Sequence, residues 1–414
     1  MAFAVAILGV GYLGPHPAAP SPSAPSETSP ASASASPARS SVAAASPVTS
    51  AGTQTPQQLE ATLGLSLERN VTGETATLLP LQISSPPAIA GNRLFYVVGG
   101  NTVEASVIGS KADAVKLVSV PHCKAINQIA ASADNLMYLV SWPEEPNPTT
   151  GGCDTFTHID WSLRLMDLRT GATRELATGT RTKVKPEFDG FPIHFTLTAT
   201  SYALDRPDDG SVPNGPETIE VHDLAGKLLW STKYGGHVAE LELAGSLLAV
   251  VTQISWPEAG TNELFEASAQ DPTLRKMSEP SSSVSLSPDG RYMVWGSTLR
   301  LGATPELVNG DVAIADLGLR RVSSAYPAPS PNGVDVMSPS VVATSNGPFV
   351  AWLAVGPDGT TYPAFNWPGR GKSGFLESVQ QPTWMAVAGS SLVWVAASSD
   401  GWSAVAFSID IDKL

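Results

Sequence analysis

A short strand–turn–strand unit recurs along the chain, and its recurrence restricts the fold more than any other feature of the sequence. The clearest copy is residues 284–296, Val-Ser-Leu-Ser-Pro-Asp-Gly-Arg-Tyr-Met-Val-Trp-Gly. An apolar run enters Ser287-Pro288-Asp289-Gly290, where proline presets φ and glycine relieves the backbone, and a second apolar run follows at once. Six weaker copies lie at residues 88–98, 126–142, 195–204, 241–252, 341–355 and 384–397. From residue 73 onward short runs of Val, Leu, Ile, Trp and Tyr alternate with Gly, Pro, Asn and Asp. Helical periodicity is nearly absent, so the region reads as all-β.

A second marker sets the period. An Asp closes an apolar run at Asp167, Asp223, Asp316 and Asp410, with gaps of 56, 93 and 94 residues. The last two gaps are each close to twice 47, and units of roughly 40–50 residues are the four-stranded blades of a β-propeller. Seven hairpins therefore predict a seven-bladed β-propeller over residues 73–414, with six or eight blades as alternatives. At a strand-to-turn junction these Asp residues serve the turn backbone rather than chemistry. The chain ends soon after Asp410, which leaves the last blade with three strands. Residues 75–83, an apolar run without a hairpin partner, are expected to supply the fourth and close the ring.

The first 72 residues have a different composition. Residues 2–14 are apolar or small, too few for a full membrane span but suited to a signal-peptide core or membrane anchor. Residues 15–72 read as a disordered linker rich in Pro, Ala and Ser, with one short helix near residues 57–67. An apolar start followed by such a spacer predicts a bacterial protein that is secreted or anchored to the cytoplasmic membrane by its N-terminus, outside the cytoplasm. With 38 acidic against 24 basic residues, a net charge of −14 disfavours nucleic acid and anionic membrane surfaces as partners. The two cysteines, Cys123 and Cys153, are too few for a zinc site and are expected to form one disulfide in an exported chain. No metal site and no cofactor is predicted.

The residues Ser287-Pro288-Asp289-Gly290-Arg291 followed by an apolar strand resemble the TolB-like and WD-type propeller repeat. Residues 221–230, Val-His-Asp-Leu-Ala-Gly-Lys-Leu-Leu-Trp, look like one repeat of the quinoprotein-type propellers, in which a Trp docks against the neighbouring blade. These resemblances imply the fold over residues 75–414. They also imply that ligands are taken on the face carrying the connections between strands two and three and between successive blades.

On that face blades one, six and seven have short connections, whereas blades two to five have long ones near residues 141–160, 205–217, 255–263 and 297–310. A scaffold needs only the short form, so the long connections mark the candidate site. Two open alike, with Trp142, Glu144 and Glu145 in one and Trp256 and Glu258 in the other; a third carries Asp205, Asp208 and Asp209. Together they describe an acidic, aromatic-rimmed patch for a cation, a sugar or a basic peptide, or else strand terminators that keep long loops soluble. Asp154, His158 and Asp160 form the one local His/Asp cluster, while His194, His222 and His237 stand singly in sequence. Residues 369–373, Gly-Arg-Gly-Lys-Ser, mimic the end of a phosphate-binding loop, but position 366 is Asn where the first glycine belongs. The expected function is a monomeric binding or scaffold propeller of the cell envelope with a protein or carbohydrate ligand. The alternative is a polysaccharide hydrolase or lyase using loop carboxylates such as Glu145, Asp160 and Asp208.

Overall fold

The computed structural model describes residues 56–71, 76–79, 83–110, 112–143, 158–182, 193–207, 216–253, 262–278, 281–301, 306–326, 335–356, 360–378, 381–397 and 403–414. Within them seven antiparallel sheets form the blades of a β-propeller. The first strands are Ala88–Ala90, Ala125–Ala131, Phe195–Leu197, His237–Ala244, Ser281–Leu286, Asp335–Thr344 and Pro382–Ala388, and each touches the next until the last returns to the first. That ring of inner strands encloses the central channel.

The repeat has a physical core that explains why so loose a sequence pattern folds reproducibly. In five blades a glycine at positive φ makes the tight turn after the first strand: Gly91, Gly245, Gly290, Gly347 and Gly389. Five residues beyond each lies a fully or nearly fully buried side chain of the second strand: Tyr96, Val250, Trp295, Trp352 and Trp394. The turn fixes the register, and the register aims that side chain between neighbouring blades. Asp289 accepts the Arg291 N–H and the Ser287 hydroxyl, and Ser287 accepts from the Tyr292 N–H, so this Asp is a turn residue. Asp167, Asp223, Asp316 and Asp410 each accept an N–H from the turn that follows them.

The ring closes by pairing its two ends. Thr77–Leu79 runs antiparallel to the third strand of blade seven, Ala404–Asp410, as its outer strand. The closing strand is shorter than the run 75–83 suggests; Ile83 instead bridges to Val98 in blade one. The linker boundary also differs from the sequence expectation. Residues 56–71 belong to the folded ring: a helix, Pro56–Leu63, leads into the strand Leu67–Val71, which joins blade six as a fifth, parallel strand. Leu59, Leu63 and Leu65 are buried in the blade-six core, and the Tyr326 hydroxyl donates to the Leu63 carbonyl. Three apolar side chains in a Pro- and Gln-rich setting suffice because they enter an existing core rather than build one. Gly374 accommodates the strap, since a Cβ there would meet the Glu68 side chain at 2.2 Å and the Ser66 carbonyl at 2.9 Å.

Residues 369–373 form the turn between the last two strands of blade six. Arg370 stacks on Trp367 and pairs with Asp412 at 2.6 Å, a structural role that leaves nothing resembling a phosphate loop. Trp230 packs against the cluster shared by blades three and four, as the quinoprotein-like repeat implies.

Candidate functional site

The inner strands carry β-bulges near their starts, and the residue after the bulge reaches the next blade. Register shifts fall between Ile126 and Gln128, Val238 and Glu240, and Met337 and Ser340. The Gln128 amide donates to the Phe195 carbonyl at 3.1 Å, the Val284 N–H donates to Glu240 at 3.3 Å, and the Val387 N–H donates to Ser340 at 3.0 Å. Bulges bend a strand and re-aim its side chains, so one local irregularity produces a latch between blades two and three, four and five, and six and seven.

The most chemically dense latch lies between blades three and four, on the face carrying the connections between strands two and three. His194 immediately precedes the first strand of blade three, and His237 opens that of blade four. Asp205 is near the end of the second strand of blade three, Glu217 opens its third, and Arg181 is near the end of the fourth strand of blade two. Nδ1 of His194 lies 3.0 Å from Asp205, which also accepts the His194 N–H. Nδ1 of His237 lies 3.1 Å from Glu217, whose other oxygen accepts the Val238 N–H at 2.8 Å. A carboxylate only accepts, so Nδ1 is the protonated nitrogen of both rings. The ring centroids are 5.8 Å apart, edge to face, and Arg181 approaches Glu217 at 3.9 Å. Asp205 and Glu217 are fully buried, which fixes both imidazoles in orientation.

Below this seam the channel wall carries Glu240 and Glu242, two residues apart on one face of the inner strand of blade four. Burial pushes the Glu240 carboxyl up to about 7, against the pull of the Val284 N–H and of His194. Burial, and then the charge of Glu240, pushes Glu242 up to about 8. Glu242 has no hydrogen-bond or ion-pair partner among the described residues. Both side chains are half-buried, and in the innermost strand these polar positions face the channel.

Of the residues picked out by sequence, Asp205 alone enters this cluster, and as a fully buried strand residue rather than part of an exposed acidic loop. Trp142 is the penultimate residue of the second strand of blade two, partly buried, with the Lys124 ammonium 3.8 Å from its ring centroid. One face of that indole is therefore already taken by a cation. Asp160 sits in the strand His158–Asp167 and accepts from Thr180 at 2.6 Å, tied across the blade rather than set in a loop cluster with His158. His158 starts that strand. Glu144, Glu145, Asp154, Asp208, Asp209, Trp256, Glu258 and Cys153 lie outside the described residues. Strands account for part of the stretches that read as long loops. Those of blade five run to Leu301 and resume at Glu306. Among the described residues no group of three or more His, Cys, Asp or Glu is arranged to hold a metal ion.

His194, His237, Glu217, Arg181, Glu240 and Glu242 were not singled out by sequence, because a single His or Glu in an apolar repeat carries no spacing signal. The signal that could have found the histidines is positional. Each stands at the same place in its repeat, at the entry to the inner strand.

No protein-family model matches the chain, and no curated protein matches its sequence. Solved structures do. The chain is similar to a prolyl endopeptidase, with a TM-score of 0.51 and 13% identity over 81% of this chain and 50% of that one. It is also similar to the β-propeller domain of the Trilobed protease from Pyrococcus furiosus, with a TM-score of 0.49 and 10% identity over 82% of this chain and 97% of that one. An oligogalacturonate lyase in complex with manganese matches at a TM-score of 0.40 and 14% identity, over 69% of this chain and 73% of that one. At such identities the likeness is one of fold: the chain is a β-propeller.

Proposed function

We propose that this propeller is a binding or scaffold module of the cell envelope, held outside the cytoplasmic membrane by its N-terminal segment, with its ligand taken on the face of blades two to four. The observation that carries the reading is the convergence of His194, Asp205, Glu217, His237 and Arg181 from three blades on that face. Ring closure and blade packing alone do not call for five ionisable side chains at one seam. Two buried carboxylates, Asp205 and Glu217, face the one fixed cation, Arg181, which favours a ligand bearing hydroxyl or ammonium groups over an anionic one. Cys123 holds no free thiol, which supports a Cys123–Cys153 bridge and with it an oxidising compartment. The test is co-sedimentation of the purified chain with insoluble cell-wall material. Wild-type protein is retained and a Trp142→Ala/Trp256→Ala double variant is released; equal retention of the two refutes the reading.

A second reading, a polysaccharide hydrolase or lyase, has one observation in its favour. Two imidazoles oriented by buried carboxylates are an arrangement used for general acid–base work. The acid and base would then be His194 and His237 rather than Glu145, Asp160 and Asp208. Release of reducing or unsaturated ends from wall polysaccharide, abolished by His237→Asn in a folded variant, separates this reading from the first.

A further inference from the structure

Three non-glycine residues among those described have positive φ: Cys123 at 65°, Ser338 at 48° and Arg320 at 51°. Cys123 holds no free thiol in the turn that follows blade one, and Ser338 lies in the channel bulge of blade six. Arg320 has neither excuse, since it sits in an ordinary hairpin turn after the third strand of blade five. The same turn occurs in blade two. There Asp167 and Ala172 are hydrogen-bonded across four residues, the last of which is Gly171 at φ 72°. In blade five Asp316 pairs with Arg321 across four residues, the last of which is Arg320. Both turns are anchored alike, by the Asp accepting the N–H three residues on. The chain thus contains a glycine solution to this turn and places a strained arginine in it. An observed backbone outlier of this kind points to a use for the side chain.

The turn forms one lip of a groove of about 370 Å³ between blades four and five, on the face opposite the proposed ligand face. Leu247, Met277, Ala315 and Val322 give it apolar lining, and Leu319 beside it is 70% exposed. Two of its three acidic side chains are paired with cations. Glu266 pairs with Arg275, Asp316 with Arg291, and Asp271 accepts the Thr273 N–H. The side chains of Arg320 and Arg321 have no hydrogen-bond or ion-pair partner among the described residues. On a chain of net charge −14, the groove therefore offers two uncommitted guanidinium groups above an apolar floor.

We propose that this groove docks an acidic peptide segment of a partner protein, in which carboxylates flank an apolar side chain. Guanidinium and carboxylate match as paired donors and acceptors, and the apolar residue fills the space beside Met277 and Val322. The site stands independently of the ligand face and would let the ring bridge two partners.

The probe is a fluorescein-labelled acetyl-Glu-Glu-Leu-Glu-Glu peptide, followed by anisotropy on the full chain at low salt. Saturable binding is expected, weakened at least tenfold by Arg320→Gly, unchanged by Trp142→Ala, and absent for the matching lysine peptide. Arg320→Gly relieves strain, so its melting temperature is expected to equal or exceed that of wild type, which separates lost binding from lost fold. Equal affinity of Arg320→Gly and wild type overturns the proposal, as does the lack of saturable binding. An oligouronate of equal charge that displaces the peptide with equal potency also overturns it, because the groove would then read charge alone.

Discussion

Replacing Glu242 with Gln tests whether the channel wall of blade four is as inhospitable to charge as its geometry implies. Glu242 is held up to about 8 and Glu240 to about 7, where a carboxyl in the unfolded chain sits near 4.5. Between those limits the folded state keeps a proton that the unfolded state has released. The stability these two groups contribute is therefore greatest in acid and is lost as pH rises toward the folded values, the reverse of a salt-bridged carboxylate. Each such proton contributes a slope of about −1.4 kcal/mol per pH unit. Glutamine fills the same volume, carries no charge at any pH, and cancels the slope of one group. From pH 5.5 to 7.5 the stability of Glu242→Gln relative to wild type should thus rise by up to about 2.7 kcal/mol. Urea unfolding at pH 5.5, 6.5 and 7.5 measures this directly, and taking the difference between the two proteins cancels every titrating group except Glu240, which is coupled to Glu242 through its charge. Parallel stability curves would mean that water in the channel solvates Glu242 fully, and the argument would fail.

Arg320→Gly should stabilise the chain by about 0.5–1 kcal/mol, the relief of a left-handed arginine less the entropy of a new glycine; thermal denaturation reads it. Trp352→Ala should cost about 3–5 kcal/mol in urea, because Trp352 is fully buried between blades. Tyr326→Phe removes the hydrogen bond to Leu63 and should cost about 1–2 kcal/mol, with increased exchange in the Pro56–Leu63 helix. If Cys123 and Cys153 are bridged as proposed, reductant should lower stability by about 2–4 kcal/mol, an effect absent from Cys123→Ser.

What sequence shows and what it hides follow from where each residue sits in the blade. The turn at Ser287-Pro288-Asp289-Gly290 is legible because its chemistry is local: proline, Asx hydrogen bond and positive-φ glycine act within four residues. Such turns lie on the face opposite the strand-two-to-three connections and specify the ring. The strap at residues 56–71 is illegible for the opposite reason. Its few apolar residues are held by blades five and six, more than 250 residues away, through contacts such as Tyr326 to Leu63. His194 and His237 lie between these cases. Each is isolated in sequence, yet the repeat returns both to the entry of an inner strand, where the ring places their rings 5.8 Å apart.

A repeat fold thus converts equal positions in sequence into neighbours around an axis. In such a chain function is best sought where one copy departs from the others. A turn that needs glycine and holds arginine is one departure, and an inner strand that sets two glutamates side by side on its channel face is another. The glutamates lie in blade four beneath the seam where the paired histidines meet, and the arginine turn lies in blade five on the opposite face. Blades six and seven bury Trp352 and Trp394 at the common position and serve the ring. Scanning substitutions across equivalent positions of all seven blades should therefore divide cleanly. Loss of stability should track the buried position five residues beyond the turn glycine in the five blades that share it, whereas loss of binding should be confined to blades two to five. Binding loss spread evenly around the ring would show that departures from the repeat are drift, not sites.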